Sequence, residues 1–283
     1  MICTVNGISL HVERYGNGPV LLVLHGFTGS MENWRPFVEA WQTSCHVVLV
    51  DIIGHGQSDK PADWTRYSMK RAVEDLRGLF AVLQIEKAHV LGYSMGGRLA
   101  LSFAVAYPNL LESLILESSS PGLDNDIERQ ERKRRDDLLA DRIERIGVPA
   151  FVQEWEKNPL FSSQQSLPEE VRLTIRAQRL QNDPIGLANS LRGMGTGAQP
   201  SWWEHLAHLE VPVLLATGEL DTKFTGIATE VRSRLKDARH ITVPECGHAV
   251  HVEQSKIFGT IVMEFLNKGG TKRGSGMESG TYI

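Results

Sequence analysis

Residues 88–93 form a short, almost continuous apolar run. It passes directly through Gly92-Tyr93-Ser94-Met95-Gly96 into a largely apolar segment, 95–107, that stops before Pro108. A run of that length reads as a strand buried on both faces, and the segment after it as a helix. A serine between glycines at a strand-to-helix step sits on a sharp, strained turn, with its hydroxyl projecting into an open site. Similar apolar runs recur at 20–25, 46–51, 111–117 and 211–217. Residues 8–14 alternate with period two, and the shorter run 239–243 reads as a strand near the sheet edge. Helical segments lie between them at 69–83, 229–235 and 256–266. In the first, Ala72, Leu76, Leu79, Phe80 and Leu83 share one face. Strands alternating with helices predict an α/β chain with a mostly parallel central sheet flanked by helices.

The alternation breaks between about Gly122 and Pro212. Residues 126–145 are dense in Arg, Glu and Asp, and Pro149, Pro159, Pro168, Pro184 and Pro200 punctuate the stretch. It reads as an inserted helical lid over 123–210, dividing a core made of 1–122 and 211–268. The tail, 269–283, is rich in Gly, Ser and Thr without apolar periodicity and reads as disordered.

At 283 residues the chain can bury a substantial core. Its net charge of −4 gives no reason to expect nucleic acid or a membrane surface as partner. No apolar run approaches the roughly 20 residues that span a bilayer. The N-terminus lacks the basic and long apolar regions of a signal peptide. Cys3, Cys45 and Cys246 are widely spaced and form neither a CxxC pair nor a His/Cys ligand cluster. A cytoplasmic, thiol-reduced monomer is expected.

A serine turn of this kind calls for an acid and a histidine further along the chain, in that order. Asp221 follows the run 211–217 in Gly218-Glu219-Leu220-Asp221. His248 follows the last strand in Glu245-Cys246-Gly247-His248. Both fall at the C-terminal ends of strands, where an open parallel sheet places its site. His248 can take the serine proton, and Asp221 can hold the imidazole tautomer and stabilise the imidazolium. An oxyanion site is expected at the backbone amides of Phe27, in His25-Gly26-Phe27, and Met95. Arg98 lies in the first helical turn after Ser94, where a cation opposes the helix dipole. Either a bound anion compensates it or the side chain reaches to water.

At these residues the chain resembles the α/β-hydrolase superfamily over about residues 5–268. The matching blocks are His25-Gly26-Phe27, Asp51 through Ser58, the serine turn, Gly218 through Asp221, and Gly247-His248. Superfamily members resembling haloalkane dehalogenases and epoxide hydrolases carry aspartate at the nucleophile position, where this chain has Ser94. Gly92 through Arg98 is similar, more narrowly, to the serine turn of the MenH family, the 2-succinyl-6-hydroxy-2,4-cyclohexadiene-1-carboxylate synthases of menaquinone biosynthesis. Glu117 through Leu123, Glu131-Arg132 through Arg135-Asp136, Trp155 with Pro159-Leu160-Phe161, Gly218 through Phe224, and Gly247 through His251 agree with it. Ser118 and Ser119 stand where family members often have glycine.

This resemblance implies a lyase. Such an enzyme eliminates pyruvate from 2-succinyl-5-enolpyruvyl-6-hydroxy-3-cyclohexene-1-carboxylate, with activated Ser94 as general base and no metal or organic cofactor. The substrate carries three carboxylates, and the planar fork of arginine suits a carboxylate best. Carried over position by position, the resemblance implies substrate binding by Arg98, Arg132 and Arg176, with Tyr93, Trp155 and Phe161 lining the pocket. Neighbours three apart share a helix face, so Arg129 or Arg135 can stand in for Arg132, and Arg179 for Arg176. A serine hydrolase acting on an anionic ester or diketone uses the same triad. A receptor on this scaffold can also keep one.

Overall fold

A computed structural model describes residues 1–267, so the expected tail at 269–283 lies outside the described residues. The strands are β1 (Ile2–Val5), β2 (Ile8–Tyr15), β3 (Val20–Leu24), β4 (His46–Val50), β5 (Ala88–Tyr93), β6 (Leu111–Glu117), β7 (Val213–Gly218) and β8 (Ala238–Val243). The helices are α1 (Arg35–Trp41), α2 (Met69–Val82), α3 (Met95–Ala106), α4 (Asp126–Trp155), α5 (Glu169–Leu180), α6 (Pro184–Met194), α7 (Thr222–Arg234), α8 (Val250–Glu253) and α9 (Ser255–Asn267).

The strands form one sheet in the order β1-β2-β4-β3-β5-β6-β7-β8. β1 pairs antiparallel with β2, and β2 antiparallel with β4. The remaining pairings are parallel. Alternate residues feed two cores because side chains switch faces along a strand. Leu22, Leu24, Val90, Leu114 and Leu116 pack with α2 and α3 on one face. Leu21, Val23, Leu91 and Ile115 pack with Trp34, Trp41 and Phe258 on the other. This two-sided burial is why the central strands read as continuous apolar runs.

The chain runs outward from β3 to β4, then returns to lay β5 on β3's other side. The order therefore reverses between β3 and β5. The loops leaving their C-terminal ends splay apart there and open a crevice. The first carries Phe27 and the second Ser94.

Between β6 and β7 the described chain contains helices and turns but no strand. α4 breaks at Gly147, where φ is 76° and ψ 166°, two residues before Pro149. Proline cannot supply the amide that an unbroken helix would need there. Ala140, Ile143, Phe151 and Val152 of α4 meet Leu187, Ala188 and Leu191 of α6 in a small core of the lid's own. Trp203 closes the lid's base, its indole N–H donating to the Gly122 carbonyl at 3.0 Å.

Three elements differ from the expectation. β1 is too short to show periodicity and exists by pairing with β2. α1 spans only seven residues. α7 begins at Thr222, seven residues ahead of the helical segment read from 229. Its opening, Thr222-Lys223-Phe224-Thr225-Gly226, is poor in helix formers. The Asp221 carboxylate caps it, accepting from the Phe224 amide at 3.3 Å.

Candidate active site

Ser94 sits between β5 and α3 with φ 50° and ψ −106°. A non-glycine residue with positive φ stores about 1–3 kcal/mol of strain. The surroundings hold it there. A Cβ on Gly92 would collide with the Gly96 carbonyl, and one on Gly96 with the His25 and Leu24 carbonyls. Glycine at both positions lets α3 start hard against β5 and the β3 loop.

The structure brings the three distant residues together. His248 Nε2 lies 3.1 Å from Ser94 Oγ, and His248 Nδ1 lies 2.6 Å from Asp221 Oδ2. A carboxylate can only accept, so Nδ1 donates the proton and Nε2 is left to accept from the serine. His248 is 1% exposed. Phe224 and Tyr93 flank its ring at 4.6 and 5.4 Å between centroids. Behind it, His251 anchors the loop. Its ring Nδ1 lies 2.8 Å from Glu117 Oε1, at the end of β6, and its backbone amide donates to the same oxygen at 3.0 Å.

The amides of Phe27 and Met95 donate no hydrogen bond among the described residues. Phe27, Ser94 and Met95 line one cavity, following the two strands at which the order reverses. His25 fixes the first of them. Its Nδ1 donates to the Gly26 carbonyl at 2.8 Å and its Nε2 accepts from the Ile52 amide at 3.0 Å. This bonding requires neutral imidazole, and burial lowers the His25 pKa in the same sense. His55 stands 5.0 Å away between ring centroids. Burial first, then the neighbouring His25, pushes its pKa from 6.5 down to about 3.

That depression has a consequence for stability. Between pH 6.5 and about 3 the unfolded chain binds a proton at His55 that the folded chain does not. Stability therefore falls as pH drops through this window, by up to ~1.4 kcal/mol per unit. His55→Asn, which keeps a donor for the Ile53 carbonyl, should flatten the slope by up to one proton. Urea titrations at several pH values measure it, and an unchanged slope would refute this role.

Ser94 and His248 open into a cavity of about 550 Å³ beneath the lid. Tyr93, Trp155 and Phe161 line it, as do Arg98 and Arg132. Arg98 Nη1 donates to the Met194 carbonyl at 2.6 Å and to Gln199 Oε1 at 2.7 Å. Both acceptors are neutral, so the guanidinium charge is uncompensated by its partners. Burial first, then the nearby Arg132 charge, lowers its pKa to about 10, which leaves it cationic at neutral pH. Arg132 Nε donates to Asp136 Oδ1 at 2.8 Å. Arg135 also reaches the cavity, with its side chain 73% exposed.

Arg176 is not brought to this cavity. It pairs with Glu156 at 2.9 Å and lines a neighbouring hollow of about 300 Å³. Arg179, one helical turn on, lines that hollow too but is buried, its guanidinium 4.8 Å from the Phe161 ring centroid. Phe161 borders both spaces. Of the two arginines, Arg179 is therefore the one set against the cavity wall. Sequence reasoning also passed over Lys223, which lines the cavity from α7. The available signal was a lysine in a helix's first turn, and the unrecognised start of α7 hid it.

Among the described residues, no group of three or more His, Cys, Asp or Glu side chains converges as metal ligands do. No described helix is long and apolar enough to cross a membrane.

The chain matches the α/β hydrolase fold family over residues 19–255. A Bacillus subtilis protein, provisionally assigned as a 2-succinyl-6-hydroxy-2,4-cyclohexadiene-1-carboxylate synthase, is 51% identical over 87% of this chain and 89% of its own. The enzyme of that name from Salmonella heidelberg is 32% identical over 86% of this chain and 92% of its own. The solved structure of MenH from S. aureus superposes with a TM-score of 0.89 at 34% identity, covering 92% of this chain and 99% of that one.

Proposed function

Because the chain belongs to the 2-succinyl-6-hydroxy-2,4-cyclohexadiene-1-carboxylate synthase family of α/β-hydrolase-fold proteins, we propose that it eliminates pyruvate from 2-succinyl-5-enolpyruvyl-6-hydroxy-3-cyclohexene-1-carboxylate in menaquinone biosynthesis. The enzyme is a lyase on a hydrolase scaffold. The observation that carries this reading is the pairing of an assembled triad with Arg98 in one cavity. Arg98 is a buried cation hydrogen-bonded only to neutral oxygens, with Asp136, which is ion-paired to Arg132, as a nearby carboxylate, so much of its charge remains for a substrate carboxylate.

The triad distances support the following chemistry. Ser94 Oγ passes its proton to His248 Nε2 as it takes one from a ring carbon, and Asp221 stabilises the imidazolium. The electron pair of the broken C–H bond becomes a ring double bond through an enolate. The amides of Phe27 and Met95 stabilise that enolate oxygen. The conjugated C–O bond then breaks, and its electron pair leaves with the enolpyruvyl oxygen. That oxygen takes back the proton held on His248, and enolpyruvate ketonises to pyruvate. Arg132 supports a second carboxylate, and Arg179 polarises the wall formed by Phe161. Trp155 and Tyr93 shape the apolar sides. The three cysteines are free and buried, which supports action in the reducing cytoplasm.

The test is to supply the enolpyruvyl cyclohexene substrate and follow pyruvate. Stoichiometric release with formation of the cyclohexadiene is expected. No release, together with fast cleavage of a simple aryl ester, would instead make the chain a serine hydrolase.

A further inference from the structure

Lys223 stands two residues after the triad acid, in the first turn of α7, and lines the catalytic cavity. A cation there opposes the positive end of the helix dipole. The fold offers little in return. Among the described residues Lys223 forms no ion pair, and its ammonium lies 5.6 Å from the Phe224 ring centroid. Most described lysines form no ion pair either, Lys133 and Lys236 being exceptions, so what sets Lys223 apart is its place on the cavity wall. Lys223 therefore resembles Arg98, a first-turn cation without a carboxylate partner, facing the same space.

The charges around the cavity can be compared with the substrate. Arg98 has only neutral partners, and Asp136 partly neutralises Arg132. These two reach the cavity from α3 and α4, while Arg135, at its edge, is largely exposed and paired with Glu131. Lys223 enters from α7, next to Phe224, whose ring packs against His248. In the elimination, His248 holds the proton that the departing oxygen takes, so the leaving group lies on the His248 side.

We propose that Lys223 binds the carboxylate of the leaving enolpyruvyl group, completing a three-cation set for a tricarboxylate. This rests on the lyase reading above. An ammonium on a flexible four-carbon stem suits the task, since it can follow a group that moves away, whereas a fixed guanidinium fork cannot.

The experiment measures pyruvate release by the wild-type chain, Lys223→Met and Lys223→Arg at two ionic strengths, with added pyruvate as product inhibitor. Lys223→Met should raise KM and weaken pyruvate inhibition, each about ten-fold. Its kcat/KM should also depend less on salt, because one charge contact is gone. Lys223→Arg should stay within about three-fold of wild type, as charge is retained. The side chain is exposed, so thermal unfolding should be unchanged. Values of KM, pyruvate inhibition and salt dependence in Lys223→Met within two-fold of wild type would overturn the proposal while leaving the lyase reading intact. A wild-type chain that releases no pyruvate would overturn both.

Discussion

Ser94→Ala should lower the rate of pyruvate release by about 10²–10⁴-fold, the usual contribution of a positioned general base. KM should change little, since the cavity's cations remain. The methyl side chain cannot accept a ring proton, and His248 then lacks the oxygen that relays it. His248→Ala should cost a similar factor. The double variant should be scarcely worse than either single one, because the two groups act as one unit. Stability should be nearly unaffected, as alanine meets the same backbone strain at φ 50°. The sharper question is what Ser94 does. As a base it forms no covalent bond to substrate, so intact-protein mass spectrometry of a quenched turnover should show the unmodified chain. An acyl-serine adduct accumulating with the native substrate would refute the base role and favour hydrolase chemistry.

Arg98→Ala should be the second large effect, on two separate readouts. For activity, it removes a charge-assisted carboxylate contact inside a buried site, and kcat/KM should fall about 10²–10³-fold. Cleavage of a small neutral aryl ester should fall little. Equal losses on both substrates would count against a substrate-specific role. For stability, the Met194 carbonyl and Gln199 Oε1 both lose their Arg98 donor. An unsatisfied buried acceptor costs about 1–3 kcal/mol, so the thermal midpoint should drop measurably. Arg98→Lys tells the two effects apart. It keeps a charge but loses the planar fork, so it should recover part of the stability and little of the activity.

The two predictions draw on different kinds of information. That Ser94 is activated follows from some twenty consecutive residues, a buried strand, a glycine-flanked serine and a helix, whose conformations are coupled locally. The chain order of acid and histidine follows from strand ends, which continuous apolar runs mark clearly. Arg98 was visible as a cation at the wrong end of a helix, but its holders Met194 and Gln199 lie about a hundred residues away and no local pattern names them. The lid was harder still. Arg176 and Arg179 share a helix face in sequence and both reach Glu156, at 2.9 and 4.0 Å, but only packing against Phe161 buries Arg179. Lys223 escaped notice because weak helix formers concealed the first turn of α7.

The sequence by itself determined the alternating α/β architecture, and it pointed to the inserted lid and to Ser94, Asp221 and His248. Each depends on periodicity or on turn chemistry within a few residues. The tertiary structure alone decided which cations share the cavity and which are neutralised. Those outcomes depend on where separate elements meet. The reversal of strand order between β3 and β5 and the folding of α4 and α6 over it set those meeting points, and no short stretch of chain encodes them.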